Sequence, residues 1–219
     1  MTHSSSHDLG AIGQRILAGG QLSPAERQAG FSVLASDADQ QAGAGAVWLV
    51  EEGHPEAAEY ALQFEQIGPW QYLGWSGGSA RGLSLNGRPS AASAPHHAVE
   101  LLTSGSARSR SDRTRQPGGQ RQLTDSVGWV SCAGFRLATE AVTLQAGERR
   151  ISVPDHGYVI VAWRSPARLS RPPITALRAD GSALTTIGPD EHLDSLTWQG
   201  ILTALDDEPP ASQPDQLPG

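Results

Sequence analysis

Hydrophobic residues near the N-terminus recur at helical spacing. Between Leu9 and Leu17 the apolar positions lie three to five residues apart, which predicts a short helix ended by Gly19-Gly20. Residues 23–26, Ser-Pro-Ala-Glu, combine a capping serine, a proline suited to the first helical position and a glutamate three residues after the cap. We expect this second helix to run to about Gln41. Residues 1–43 are therefore predicted to form an N-terminal helical segment.

The hydrophobic pattern changes to strand-like from residue 45. Residues 46–50 form a short apolar run that predicts a buried strand. Residues 60–65 alternate between large apolar side chains and Ala, Gln or Glu, which predicts a half-buried strand. Gly68-Pro69 marks a turn, so residues 60–75 are predicted to form a β-hairpin.

Further strands are predicted in the second half of the chain. Residues 127–138 read as a strand of small residues, and residues 157–164 are apolar on both faces, which predicts a position in the middle of a sheet. Asp180-Gly181 lies between two alternating runs and predicts another hairpin. Together the pattern predicts a mainly β or α+β fold, with antiparallel, sandwich-like sheets and short N-terminal helices.

Three segments depart from the strand pattern. Residues 103–122 are rich in Ser, Gly and Arg and are predicted to be a disordered loop within an antiparallel β domain spanning 44–205. Residues 190–205 carry an imperfect apolar stripe that is compatible with a C-terminal helix. The acidic, proline-rich residues 206–219 are predicted to be a disordered tail.

Composition excludes several kinds of chemistry. All 16 basic residues are arginine, so lysine-dependent phosphate or Schiff-base chemistry is absent. The single cysteine, Cys132, excludes an internal disulfide framework. A net charge of −7 argues against a general nucleic-acid binder. No run reaches the ~18 apolar residues of a membrane span, and the N-terminus has no signal-peptide pattern, so we expect a cytoplasmic protein.

The basic residues cluster around the predicted loop. The arginines concerned are Arg108, Arg110, Arg113, Arg115 and Arg121. Such a cluster suits carboxylate or phosphate recognition. Three interpretations remain open: a solvated linker, a segment that docks on the protein's own acidic regions, and a surface that binds an external polyanion. Residues 103–122 contain no aromatic ring for base stacking, which makes nucleic acid the weaker partner.

Six tryptophans give a second candidate binding surface. Trp70, Tyr72 and Trp75 lie close together on the predicted hairpin. If Trp70 and Tyr72 share one face while Trp75 takes the other, part of this set is core and part is available to a partner. The remaining strand tryptophans are predicted to be core residues: Trp48, Trp129 and Trp163.

Residues 74–78, Gly-Trp-Ser-Gly-Gly, match the G-x-S-x-G pattern. Over these five residues the chain resembles the nucleophile elbow of α/β-hydrolases, in which a serine lies on a turn between a strand and a helix. The resemblance implies Ser76 as nucleophile with His156 or His192 as base. The residues that follow include Gly82, Asn86-Gly87 and Pro89, which disfavour the required helix.

Histidines offer no dense ligand set. His96, His97 and Glu100 form the nearest approach to one, but solvated histidines explain this spacing better than a metal site does. We therefore expect no metal, no cofactor and no catalytic residues. The sequence favours a non-enzymatic binding or regulatory protein that acts through a protein–protein surface, with Arg108, Arg110, Arg113, Arg115, Trp70 and Trp75 as binding residues. It does not indicate an oligomeric state.

Overall fold

The computed structural model describes residues 8–52, 58–79, 87–92, 98–110, 128–168 and 170–189. Helix α1 spans Leu9–Leu17 and helix α2 spans Pro24–Gln28. The predicted C-terminal helix over 190–205 and the predicted tail over 206–219 lie outside the described residues.

The second helix is shorter than predicted. The predicted capping box is present, since the Ser23 hydroxyl accepts from the Glu26 N–H and the Glu26 carboxylate accepts from the Ser23 N–H. The helix ends at Gln28, because Gly30 adopts a φ of +91° and turns the chain into strand β1, Phe31–Asp39. The predicted extension to Gln41 is therefore wrong, as is the helical assignment of residues 31–39.

Four strands form the first sheet, sheet A, in the order β1-β2-β3-β4 with every neighbour antiparallel. Strand β2 spans Ala44–Glu51, β3 spans Ala58–Gln66 and β4 spans Trp70–Ser79. The predicted hairpin over 60–75 is confirmed. Strand β1 pairs with β2 across the predicted boundary at residues 43 and 44, so both belong to one sheet.

Two further antiparallel sheets complete the described part of the chain. Sheet B has the order β5-β6-β9, and sheet C has the order β11-β10-β7-β8. The strands are β5 Val99–Arg108, β6 Trp129–Leu137, β7 Thr143–Ala146, β8 Arg149–Ser152, β9 Tyr158–Ser165, β10 Ile174–Leu177 and β11 Ala183–Ile187. The mainly β, antiparallel fold is thus confirmed, as is the hairpin around Asp180-Gly181. Residues 103–108 belong to β5, so disorder predicted from residue 103 is wrong there.

The elements stack in layers, with α1 on sheet A, sheet A on sheet B, and sheet B on sheet C. A separate apolar cluster fills each of the three spaces between layers. Sheet B is therefore buried on both faces. This explains why β9 is apolar from Tyr158 to Trp163 although it is an edge strand of its sheet, and the predicted mid-sheet position is wrong.

Small residues allow sheets A and B to approach closely. The indole of Trp48 is fully buried between them and meets Tyr158 edge-on, with ring centroids 5.7 Å apart. A side-chain carbon added at Gly134 would lie 2.8 Å from Cζ3 of Trp48 and 2.6 Å from Cγ2 of Thr103. Glycine at 134 is therefore what leaves room for the Trp48 ring.

An ion pair completes the edge of β9, to which no further strand of the described residues is hydrogen-bonded. Asp37 Oδ2 accepts from the Ala162 N–H at 2.8 Å, and Arg149 Nη2 donates to the Ala162 carbonyl at 2.7 Å. The two side chains also bind each other through two hydrogen bonds, at 3.1 and 2.8 Å, and Asp39 lies 3.2 Å from Arg149 Nε. The pair thus stands in for a neighbouring strand and ties β1 of sheet A to β8 of sheet C.

Asp37→Ala should destabilise the fold by about 2–3 kcal/mol, because it leaves the Ala162 N–H without its acceptor and removes one of the two carboxylates paired with Arg149. Urea unfolding followed by far-UV circular dichroism measures the change. Arg150→Ala, on the exposed side of the same strand as Arg149, should stay within about 0.5 kcal/mol of the parent. Equal stability of Asp37→Ala and the parent protein would contradict the role given to this pair.

Gly134→Ala should cost about 1–3 kcal/mol, because its methyl group overlaps Trp48 and Thr103. The matched control is Gly74→Ala, whose methyl group would meet only Gln63 Oε1, at 3.9 Å. That control should be neutral or slightly stabilising, since alanine lowers the entropy of the unfolded chain. Thermal unfolding of both variants tests the comparison, and a harmless Gly134→Ala would disprove the close approach.

Candidate functional site

The inward face of β3 carries polar side chains that are shielded from water. Glu59, Gln63 and Glu65 are 7%, 2% and 0% exposed, because this face packs on sheet B. The half-buried strand predicted from alternation is therefore wrong, since both faces of β3 are buried. Burial of carboxylates requires hydrogen-bonding or charged partners, and Glu65 has both.

Glu65 binds the end of β5 and the end of β9 together. Its carboxylate accepts from the Ser109 hydroxyl at 2.5 Å and from the Arg110 N–H at 2.7 Å, and it forms an ion pair with Arg164. The Ser109 hydroxyl also lies 3.4 Å from Arg164 Nη1. This buried anion therefore fixes the place where β5 ends and holds Arg110 beside it with its side chain exposed.

Two arginines lie over one tryptophan ring next to this anchor. The guanidinium carbon of Arg108 is 5.4 Å from the centroid of Trp129, and that of Arg168 is 5.5 Å from it. Both arginines are exposed, while Trp129 is half-buried. Trp129 was predicted as core, and that prediction is wrong. Contact with an indole face holds each guanidinium without neutralising its charge.

We call Arg108, Arg110, Trp129 and Arg168 the arginine face. Within the described residues none of its three arginines forms an ion pair with a carboxylate. Glu65 is already paired with Arg164, so no carboxylate of the described residues compensates the positive charge of the face. Guanidinium groups held in this way can bind carboxylate or phosphate oxygens through paired hydrogen bonds.

The arginine face contains two of the predicted binding residues. Arg108 and Arg110 belong to it, whereas Arg113 and Arg115 lie outside the described residues. Sequence reasoning missed Arg168 and Trp129, which reach the face from different strands and loops. The register of β5 and β6 places Arg108 opposite Trp129. The contact between Arg108 and the Trp129 ring could be predicted only from this strand pairing.

A β-bulge changes which face the hairpin aromatics occupy. The register shifts between Gln63 and Phe64, so that Leu73 is the extra residue and Trp75 joins Trp70 on the outer face of sheet A. The expectation that Trp75 takes the opposite face is wrong. Trp70 is 7% exposed and packs with α1, so its ring is not at the surface, whereas Trp75 is 55% exposed.

Ser76 lies inside β4 and not on a turn between a strand and a helix. Gln63 Nε2 donates to its hydroxyl at 3.3 Å, and a carbon added at Gly105 would lie 2.4 Å from that oxygen. His156 lies before the start of β9, where its Nδ1 accepts from the Tyr158 N–H at 3.1 Å. The nucleophile-elbow geometry implied by the G-x-S-x-G pattern is therefore absent at Ser76, and His192 lies outside the described residues.

Comparison of this chain with protein-family models, with curated proteins and with solved structures returns no match. Across the described ranges, no three His, Cys, Asp or Glu side chains are grouped closely enough to hold a metal ion. Neither described helix has the length and apolar character needed to cross a membrane. His96 and His97 lie outside the described residues.

Glu65→Gln should destabilise the protein by about 2–4 kcal/mol, because Arg164 then loses its anionic partner in a part-buried position. Urea unfolding at neutral pH measures the loss. The substitution should also release the Ser109 and Arg110 backbone, which amide hydrogen exchange detects as faster exchange at Arg110. Unchanged stability together with unchanged exchange would show that Glu65 is not the anchor.

The matched control for Glu65→Gln is Glu59→Gln, which lies on the same inward face of β3. Burial raises the pKa of the Glu59 carboxyl above 4.5, with the Trp48 indole N–H acting in the opposite direction. Because the pKa of Glu59 is higher in the folded protein than in the unfolded chain, the protonated carboxyl stabilises the fold at a pH below the pKa of the unfolded chain. This contribution is lost as the pH rises through the pKa of the folded protein. Glu59→Gln should therefore become more stable relative to the parent as the pH rises from 4 to 7. A constant difference over that range would contradict the shift.

Proposed function

We propose that this protein is a non-enzymatic binding protein whose arginine face binds a carboxylate-rich segment of another protein. The observation that carries this proposal is the placement of Arg108 and Arg168 on the Trp129 ring without a carboxylate partner in the described part of the chain. Two like charges held together favour a ligand that brings negative charge. The neighbouring Arg164 differs, because Glu65 neutralises it within the fold.

A protein partner fits this surface better than a nucleic acid does. Single-stranded nucleic acids bind through aromatic rings on which bases stack, and the Trp129 ring is already covered by arginines. The chain as a whole carries a net charge of −7, which repels an extended polyanion but leaves room for a short acidic segment at a local cationic face.

The double variant Arg108→Gln/Arg168→Gln tests the proposal. Fluorescence anisotropy with a labelled hexaglutamate peptide should show binding at low salt that weakens about fivefold to thirtyfold in the variant, since each exposed charge pair contributes about 0.5–1 kcal/mol. A labelled single-stranded oligonucleotide serves as the second probe over the same salt series.

The control is Arg150→Gln/Arg178→Gln, which removes the same charge from exposed positions on and beside sheet C. Its affinity for hexaglutamate should match that of the parent. Equal losses in both double variants would show that net charge alone drives binding. Tighter binding of the oligonucleotide, with a steep salt dependence, would replace the proposal with a polyanion-binding function.

A further inference from the structure

A second surface lies on the outer face of sheet A. It carries an exposed aromatic ring and a carboxylate, in contrast to the cationic arginine face. The Trp75 indole lies across Gly77, because a side-chain carbon added there would be 2.7 Å from Cζ3 and 3.0 Å from Cε3 of the ring. Tyr60 meets the same ring edge-on, with centroids 5.4 Å apart and planes at 68°. The glycine below and the tyrosine beside it hold the ring in place while leaving it 55% exposed.

A carboxylate is hydrogen-bonded to the tyrosine of this ring pair. The Tyr60 hydroxyl donates to Glu51 Oε2 at 2.9 Å. Burial, with the Glu51 carboxylate adding to it, raises the pKa of Tyr60 to about 12, so the hydroxyl stays a donor at any physiological pH. Among the described residues, Glu51 forms no ion pair with an arginine. The surface thus combines an exposed ring face with a carboxylate that has no cationic partner there.

Another tryptophan of this chain shows which cationic group stacks on a partly exposed indole ring. Trp129 is covered by two guanidinium groups, whereas no arginine of the described residues lies over Trp75. A planar guanidinium stacks on a single flat ring and can bind a carboxylate with two hydrogen bonds, whereas an ammonium group is better enclosed by several rings. One exposed ring face, with a carboxylate joined to it through Tyr60, therefore favours arginine over lysine or a quaternary ammonium group.

We infer that Trp75, Tyr60 and Glu51 form a binding site for an arginine side chain presented by a basic segment of a partner protein. The guanidinium stacks on the exposed face of Trp75 and pairs with the Glu51 carboxylate, while Tyr60 positions both. This site is separate from the arginine face and does not depend on the function proposed for it.

The test is a titration followed by the tryptophan indole N–H signals in two-dimensional ¹H–¹⁵N NMR spectra, with Trp75→Phe used to assign the Trp75 signal. The probe is an acetylated and amidated peptide of alternating glycine and arginine. Its counterparts carry citrulline, which keeps the planar shape without the charge, or lysine. The arginine peptide should shift the Trp75 signal in a saturable way, while the buried Trp48 signal stays in place as an internal control.

Glu51→Gln should weaken arginine-peptide binding about twofold to fivefold, because a glutamine still accepts from Tyr60 but lacks the charge. Trp75→Ala should abolish saturable binding, as monitored by anisotropy of a labelled arginine peptide, and unfolding should show a loss of stability of at most about 1.5 kcal/mol from the edge-on contact with Tyr60. Equal shifts with the citrulline peptide, a stronger response to the lysine peptide or to tetramethylammonium, or no shift at all would each overturn the inference.

Discussion

The central constraint on this fold is that sheet B lies between two other sheets and is shielded from water on both faces. A strand in that position must satisfy its outward backbone groups within the protein. On β9 this is done at Ala162 by Asp37 and Arg149, side chains contributed by the two flanking sheets. One ion pair therefore satisfies the outward backbone groups of Ala162 and joins all three sheets.

The same principle explains how the arginine face is built. A fully buried carboxylate, Glu65, needs donors, and it obtains them from Ser109, Arg110 and Arg164. These donors lie where β5 and β9 end, so satisfying one charge in the core also sets the positions of cationic residues at the surface. The burial of a single carboxylate thus also fixes the position of Arg110 at the surface.

Sequence reasoning succeeded where local chemistry decides the structure, as in the capping box at residues 23–26 and the hairpin around Asp180-Gly181. It failed where the packing of one sheet on another decides the structure. The polar inward face of β3 looks solvent-facing in the sequence, because its alternation says nothing about a second sheet packed on it. The contact between Arg168 and Trp129 joins distant parts of the chain, and no local pattern encodes it. The bulge at Leu73 is likewise set by pairing with β3, which local alternation does not reveal.

That bulge also has a consequence for how this chain tolerates change in length. Up to Tyr72 strand β4 packs against α1. After Leu73 the side chains alternate between the two faces of sheet A in the opposite phase, so that Trp75 faces outward. Losing Leu73 alone would restore regular pairing and leave Trp75 facing outward, because the bulge holds one residue more than β3 needs. The bulge is therefore the one place in the described part of β4 where the strand can lose a residue without moving the inward face, on which Ser76 lies against Gly105.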